Sequence, residues 1–338
     1  MCYRHTSWEG TIEDGATRPQ PTGRRPITHI PRPMTRARRH SLLPLAALAC
    51  LSAACSYQSD TNSAEPAVPV LGRTTGLAHP ESARYDSVAD VYYVSNINGD
   101  PSAHDDNGFI DVVSADSFKV LLTLAHGGSD GVSLSAPKGL AITGDTLWVA
   151  DIDTVRAFDK HNGKPLATID LVPFHAAFLN DVAVGPDGAV YVTDTGTGDT
   201  THADGNMIFR IAGGRASVAL ATPDLDDPNG ITWDPMLKRF LLAPGGTELQ
   251  TWTLGEKAPR PLITGPGTYD GIEALPDSSI LVTSWADSTL HVVRDGVMSP
   301  WIRGLSSPAD IGVDTRRNVV AVPRLESNEV DYFKVGGV

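Results

Sequence analysis

The chain has 338 residues, 41% of them hydrophobic, and its 27 basic and 40 acidic side chains give a net charge of −13 at pH 7. Residues 1–40 hold eight arginines and three acids, so the remainder carries 19 basic and 37 acidic side chains, a net charge of −18. Such a surface repels phosphate backbones, which makes nucleic acid a poor partner and favours a cation or a neutral small-molecule substrate.

A secretory signal is predicted over residues 34–54. Arg36, Arg38 and Arg39 form its positive head, and an apolar run over residues 42–49 follows. That run is shorter than the roughly 20 residues that a membrane-spanning helix needs. Residues 1–33 show no hydrophobic periodicity and are interpreted as a disordered upstream extension.

Cys55 is predicted to carry a lipid. It follows Ser52, Ala53 and Ala54, and this small-residue stretch resembles the bacterial lipobox. The interpretation predicts an exported protein of the cell envelope or periplasm, held on a membrane only through this anchor. The alternative is an ordinary signal peptide and a soluble secreted domain. No cysteine follows Cys55, so the domain must be held together without disulfides, and residues 55–70 are interpreted as a linker.

A short pattern occurs six times between residues 80 and 323. A polar residue opens a run of alternating apolar residues, then a turn and a second apolar run follow. Successive openings lie 57, 42, 49, 41 and 39 residues apart, which is the length of a four-stranded propeller blade with loop insertions. The opening residues, which we call the ring residues, are Glu81, Lys138, Asn180, Asn229, Asp270 and Ala309.

The repeat predicts an all-β fold over residues 71–338, a six-bladed β-propeller with four antiparallel strands per blade. β-branched and aromatic residues dominate the apolar runs, and glycine and proline separate them. The last unit lacks a fourth strand, which residues 67–72 can supply to close the ring. Closure removes open sheet edges, and we expect a monomer. A β-sandwich would not explain six repeats in phase.

The ring residues are expected to converge at one end of the propeller axis. Antiparallel strand order places the loops over residues 96–109 and 194–206, the longest and most acidic in the chain, at the same end. Two carboxylates and two amide carbonyls are oxygen donors that suit Ca²⁺, while Zn²⁺, Mg²⁺ or Mn²⁺ could also be accepted. In the alternative interpretation, Asn229-Gly230 and Asp270-Gly271 only form turns.

Three of the openings resemble those of the regucalcin and gluconolactonase family of six-bladed propellers. They are Asn180-Asp181, Pro228-Asn229-Gly230-Ile231 and Tyr269-Asp270-Gly271-Ile272, and the resemblance extends over about residues 71–335. It implies that one catalytic divalent metal is held by a glutamate of the first blade, asparagines of the third and fourth, and an aspartate of the fifth. The matching residues are Glu81, Asn180, Asn229 and Asp270. It also implies that Asp270 accepts a proton from attacking water.

The sequence departs from the family pattern at three places. The family has Glu-Gly-Pro where this chain has Glu81-Ser82-Ala83, and Phe178 stands where the family commonly has an arginine that binds the sugar acid. Lys138 places a positive charge at the ring. These departures argue against a pocket for sugar lactones.

Two functions from different classes follow from the ring. The first is a metal-dependent hydrolase of lactones or related esters, and the second is a non-catalytic propeller that binds a ligand or a protein. His79 and Trp285 are expected to lie at the pocket together with Lys138 and Phe178.

Overall fold

The structure, a computed structural model, describes residues 68–196 and 206–336, which lie in a compact unit that extends from Asn62 to Val338. The predicted extension, the signal peptide, Cys55 and most of the predicted linker lie outside the described residues. No helix in the described ranges is long and apolar enough to cross a membrane.

The described residues form six antiparallel sheets of four strands each, which confirms the predicted six-bladed propeller. Blade 1 comprises β2 (Pro80–Asp86), β3 (Val91–Asn96), β4 (Phe109–Ser114) and β5 (Val120–His126). Blade 2 comprises β6 (Pro137–Thr143), β7 (Thr146–Asp151), β8 (Thr154–Asp159) and β9 (Pro165–Asp170). Blade 3 comprises β10 (Leu179–Val184), β11 (Val190–Asp194), β12 (Met207–Ala212) and β13 (Arg215–Ala221).

The remaining blades follow the same order. Blade 4 comprises β14 (Pro228–Asp234), β15 (Arg239–Pro244), β16 (Glu248–Trp252) and β17 (Arg260–Thr264). Blade 5 comprises β18 (Tyr269–Ala274), β19 (Ile280–Ser284), β20 (Thr289–Arg294) and β21 (Val297–Arg303). Blade 6 comprises β22 (Gly312–Asp314), β23 (Val319–Arg324), β24 (Glu329–Lys334) and β1 (Val70–Thr74). Three single-turn 3₁₀ helices lie at Val172–Phe174, Pro223–Leu225 and Leu325–Ser327.

The ring closes through the N-terminal strand, as predicted. β1 pairs with β24 in antiparallel register, with Val70 opposite Phe333 and Thr74 opposite Val330. The first strands contact one another in chain order around the axis, and β22 packs on β2. β1 thereby supplies the fourth strand of blade 6 and pairs with the edge of β24, which would otherwise be an open sheet edge.

The core is divided among the interfaces between neighbouring blades. Six buried apolar clusters each combine residues of two adjacent blades, as in the cluster of Tyr191, Ile208, Ile231, Phe240 and Trp252 between blades 3 and 4. Each sheet is therefore covered on both faces, and successive apolar residues occur in middle strands such as Val91–Asn96 and Met207–Ala212. The hydrophobic burial on both faces fixes the blades around the axis and makes the axis a rigid frame.

A β-bulge opens the first strand of each of blades 1 to 5. The register with the second strand shifts by one residue at the ring position, for example between Pro80 and Ala83 and between Leu179 and Val182. A bulge turns two successive residues toward the same side, which directs both the ring residue and its successor to the axis. The bulges therefore create two layers of axial side chains.

Asn229 and Asp270 lie inside strands β14 and β18, so the interpretation of these residues as turn formers is wrong. The glycines after them serve close packing of neighbouring strands. A Cβ atom at Gly230 would lie 2.1 Å from the carbonyl oxygen of Asp270, and one at Gly271 would lie 2.7 Å from the Cα atom of Asp310. Only glycine allows first strands to approach this closely.

Candidate metal centre

A cavity of about 220 Å³ lies at the mouth of the propeller axis. All eight residues that the sequence singled out for the site line it: His79, Glu81, Lys138, Phe178, Asn180, Asn229, Asp270 and Trp285. The other lining residues are Ile97, Gly99, Pro101 and Leu325. The cavity therefore combines two carboxylates, two amides and one ammonium group with a largely apolar wall.

Three of the four predicted metal ligands keep a buried oxygen atom without a hydrogen-bond partner among the described residues. These atoms are Glu81 Oε2, Asn229 Oδ1 and Asp270 Oδ1. In Asn180, Nδ2 donates to Thr195 Oγ1 at 3.1 Å, which fixes one end of the amide and leaves the other for the cavity. Buried polar atoms are nearly always hydrogen-bonded, and a bound ion is one reason for exceptions. The donor set fits a hard divalent cation.

Burial and mutual repulsion perturb both carboxylates. Removal from water raises the pKa of Glu81 well above its usual range, and the charges of Asp270, Asp310 and Asp181 raise it further. Burial likewise raises the pKa of Asp270, followed by the charge of Asp310, while the Trp285 indole opposes the shift. Without a cation these groups favour the protonated form, so a divalent cation would compete with protons for them.

Lys138 is the only lysine among the described residues that line the cavity. Its Nζ donates to the carbonyl oxygens of Pro101 at 3.1 Å and Ala136 at 3.3 Å, and it lies 4.2 Å from the centroid of the Phe178 ring. Burial lowers the pKa of Lys138 to about 8, and the charge of Glu81 opposes that shift. The ammonium group therefore offsets part of the carboxylate charge. Backbone carbonyls accept its hydrogen bonds, and an aromatic ring lies beside it.

A second axial layer lies below the ring, and the sequence analysis missed it. Ser82 Oγ donates to Asp310 Oδ2 at 2.5 Å, and Asp181 accepts the amide hydrogens of Val182 at 2.6 Å and Ile231 at 2.7 Å. Asp310 Oδ1 is another buried oxygen without a partner in the described part of the chain. Ala309 supplies no ligand to the ring, but its successor supplies a carboxylate to the axis.

A third layer is held by Arg84. Its guanidinium pairs with Glu273, lies 3.5 Å from Asp310 Oδ2, and donates through Nε to the Leu140 carbonyl at 2.8 Å. Burial raises the pKa of Glu273, and Arg84 lowers it in part. These residues could have been identified from their place in the repeat, because Arg84 and Glu273 each stand three residues after a ring residue.

Other predicted neighbours of the site have defined contacts. The backbone amide of His79 donates to Asn328 Oδ1 at 2.7 Å, and Trp285 Nε1 donates to the Pro308 carbonyl at 3.0 Å. The backbone amide of Phe178 donates to Asp194 Oδ1 at 2.8 Å. These bonds hold the rim of the cavity, while the His79 imidazole and the Trp285 indole face its lining.

Of the two acidic loops, the first reaches the cavity through Ile97, Gly99 and Pro101, and none of its acids lines the cavity. Asp106 instead accepts hydrogen bonds from Ser133 Oγ and the Leu134 amide, so it fixes the loop. Residues 197–205 of the second loop lie outside the described residues. Within the described ranges, no group of three or more His, Cys, Asp or Glu side chains is arranged for a metal, since amides supply half of this candidate set.

The fold and the cavity define a six-bladed propeller with a single polar ring at one end of its axis. A model of the SMP-30/Gluconolactonase/LRE-like region family matches residues 101–250, a stretch that contains Lys138, Phe178, Asn180 and Asn229. The predicted resemblance to the regucalcin and gluconolactonase family is thereby confirmed. The chain is a six-bladed propeller that resembles this family over residues 101–250.

Solved structures agree on the fold. A structural genomics target assigned to gluconolactonase has a TM-score of 0.58 at 16% identity, covering 80% of this chain and 92% of that one. A PQQ-bound aldose sugar dehydrogenase from Streptomyces coelicolor has a TM-score of 0.59 at 16% identity, covering 79% and 98%. Streptogramin B lyase has a TM-score of 0.54 at 12% identity, covering 77% and 94%. No curated protein sequence matches the chain.

Proposed function

We propose that the protein is a metal-dependent hydrolase of lactones or related esters, exported to the cell envelope. The observation that carries the proposal is the set of buried oxygens on Glu81, Asn229 and Asp270, which lack partners among the described residues and line one cavity with Asn180. A turn or a packing role would leave no reason for three such atoms at one place.

Glu81, Asn180, Asn229 and Asp270 would hold the cation, and Ca²⁺ suits two carboxylates and two amide oxygens best. When bound, a divalent cation polarises the carbonyl of the substrate. Four protein ligands leave two to four of the six to eight positions around Ca²⁺ for water and substrate. The second layer would support the ring, because the Asp310 amide donates to the Glu81 carbonyl at 2.8 Å.

Asp270 would serve as the general base. It is the only aspartate among the ring residues, and its Oδ1 is buried at the cavity. Burial raises the pKa of Asp270 in the metal-free protein and a bound cation would lower it, so the role as base rests on the position of this carboxylate at the cavity. The proton accepted by Asp270 would pass to the alkoxide that leaves when the acyl carbon–oxygen bond breaks.

The wall of the cavity indicates the substrate class. Ile97, Phe178, Trp285 and Leu325 present apolar surface, and Lys138 turns two of its donors to backbone carbonyls. The described lining contains no guanidinium for a sugar acid. A cavity of about 220 Å³ suits a small ring or a short acyl chain. We therefore expect turnover of small apolar lactones or aryl esters over sugar-acid lactones.

The location is part of the proposal. Cys55 would carry the lipid that holds the protein in the cell envelope, with soluble secretion as the alternative. Cells grown with a labelled lipid precursor should transfer the label to the protein, and Cys55→Ala should lose both label and membrane retention. If Cys55→Ala stays in the membrane fraction like the wild type, the lipid anchor is wrong, whereas the proposed chemistry of the cavity is unaffected.

The hydrolase is tested with a panel of small lactones and aryl esters. Turnover should vanish on chelation and return with Ca²⁺ or another divalent cation, and Asp270→Asn should abolish it. Asp130→Asn is the matched control, because Asp130 is exposed and does not line the cavity. A panel without metal-dependent turnover, in a protein whose ring still binds the cation, would reject the hydrolase. The non-catalytic propeller would then replace it. The pairing of the Lys138 ammonium with the Phe178 ring favours that alternative, because it can serve as a ligand site.

A further inference from the structure

The strand directions give the propeller two different faces. The first strand of each blade begins at the cavity, so the turns between first and second strands, and between third and fourth strands, lie at the other end of the axis. We call that end the distal face. β1 is the fourth strand of blade 6 and therefore runs from the distal face toward the cavity, and the chain then continues through Leu77 and His79 into β2.

Exposed apolar side chains collect at the distal face. Fourteen large apolar residues are exposed in the described chain, and two of them, Val172 and Trp285, lie in loops at the cavity end. Four lie in distal turns: Val88, Met236, Leu237 and Leu254. Six more are the first or second residues of outer strands, next to that face: Val70, Leu71, Val120, Leu121, Leu166 and Val297. Scattered exposed apolar residues are ordinary, whereas concentration on one face marks an interaction surface.

The distal end of the axis extends this apolar surface inward. A depression of about 310 Å³ opens there, with Tyr85, Ile142, Val184, Trp233 and Pro235 in its wall. Met236 and Leu237, exposed by 63% and 57%, follow Pro235 directly in blade 4. Val88, exposed by 82%, lies in the turn after Tyr85 in blade 1, which stands across the ring from blade 4. Apolar groups thus flank the opening on both sides.

The chain also enters the propeller on this face. Val70, at the distal end of β1, is 15 residues after Cys55, a length of chain that spans at most about 50 Å. A lipid on Cys55 would therefore hold the distal face, where the tether joins the propeller, within about 50 Å of the bilayer. Apolar contact by the distal face would add to the retention that the lipid provides.

From these observations we propose that the distal face docks on the lipid bilayer, inserting Val88, Met236 and Leu237 among the headgroups and turning the cavity toward solvent. The proposal rests on the lipid anchor at Cys55. The residues after position 40 carry a net charge of −18, so the contact depends on apolar side chains and does not require anionic lipid. Substrate would then reach the cavity from the aqueous side without crossing the membrane surface.

Single-cysteine labelling tests this orientation, because no cysteine follows Cys55. The full chain, with Cys2→Ser and Cys50→Ser, receives M236C, V88C or, as the matched control, V172C, which is an exposed apolar position at the cavity end. Each variant carries an environment-sensitive fluorophore in phosphatidylcholine vesicles whose acyl chains are brominated. Labels at 88 and 236 should be quenched several-fold more than the label at 172. Equal quenching at the three positions would overturn the proposal.

The anchor is checked separately, by the mass of the Cys55 peptide. If it carries no lipid, Cys55→Ser is added to the same variants, which are then tethered through an N-terminal histidine tag to nickel-chelating lipid, so that a failed anchor and a failed docking face give different results. The pair Met236→Asp and Leu237→Asp should weaken vesicle association of the tethered protein about tenfold, and Val172→Asp should not. Labels at 236 that are shielded without vesicles, in a protein of twice the chain mass, would instead identify a second copy as the partner and overturn docking on lipid.

Discussion

Replacing Asp270 with asparagine should stabilise the metal-free protein and remove its response to metal. Asp270 is buried, its Oδ1 has no partner among the described residues, and its pKa is raised by burial and by the charge of Asp310. Two carboxylates roughly 6 Å apart repel by about 3 kcal/mol at an effective dielectric constant of about 20. Protonation relieves part of this repulsion, so Asp270→Asn should add about 1–3 kcal/mol to the free energy of unfolding in chelator.

Chemical denaturation at pH 8 measures this effect, in chelator and in Ca²⁺. The wild-type protein should gain about 2.7 kcal/mol when the free cation exceeds the dissociation constant a hundredfold, and Asp270→Asn should gain far less. Asp130→Asn controls for loss of charge at an exposed position and should respond to Ca²⁺ like the wild type. An Asp270→Asn protein that is less stable in chelator, yet equally stabilised by Ca²⁺, would show that the carboxylate is a structural partner and refute the reasoning.

Four further outcomes are expected. Because burial raises the pKa values of Glu81 and Asp270 in the metal-free fold, their contribution to stability is fully present below about pH 4 and is lost as pH rises through the folded-state values. Metal binding should therefore release protons, and calorimetric heats that do not depend on the buffer would contradict this. Lys138→Met should raise metal affinity several-fold in calorimetric titration, because it removes a like charge near the cation; unchanged affinity would place the ammonium's influence elsewhere. Phe178→Arg should shift the kcat/KM ratio toward sugar-acid lactones, and an unchanged ratio would refute its role in selectivity. Asn180→Ala should weaken metal affinity less than Glu81→Ala, since it removes a neutral donor; an equal loss would count against this ligand set.

The blades could be predicted from sequence because their signal is local. Alternating apolar residues and turn residues recur within each blade, and burial on both faces of every sheet preserves that pattern. The exception is the first strand of blade 6, which opens at Ala309 in the repeat but begins later in the structure. β22 covers only Gly312–Asp314, because Asp310 bonds sideways to Glu81 and Ala83 of blade 1. That pairing depends on closure of the ring, so it cannot be predicted from the sequence of blade 6 alone.

The ring could also be predicted, because residues at the same place in each repeat lie at equivalent places around the axis. All eight predicted site residues line one cavity for that reason. The layers beneath were missed because they depend on contacts between distant blades. Arg84 meets Glu273 across 189 residues, and Ser82 meets Asp310 across 228. The bulge that turns Asp181 to the axis breaks the alternation on which sequence reasoning relies, and Asp310 lies before the short strand β22.

The central claim is that the ring holds one divalent cation, and anomalous scattering from crystals soaked in Mn²⁺ tests it most directly. The account predicts a single anomalous peak at the cavity, with oxygens of Glu81, Asn180, Asn229 and Asp270 at about 2.0–2.6 Å. The peak should be absent from Asp270→Asn crystals and present in those of Asp130→Asn. Crystals of the folded wild-type protein without a peak at the ring, or with Mn²⁺ bound only elsewhere, would contradict the account.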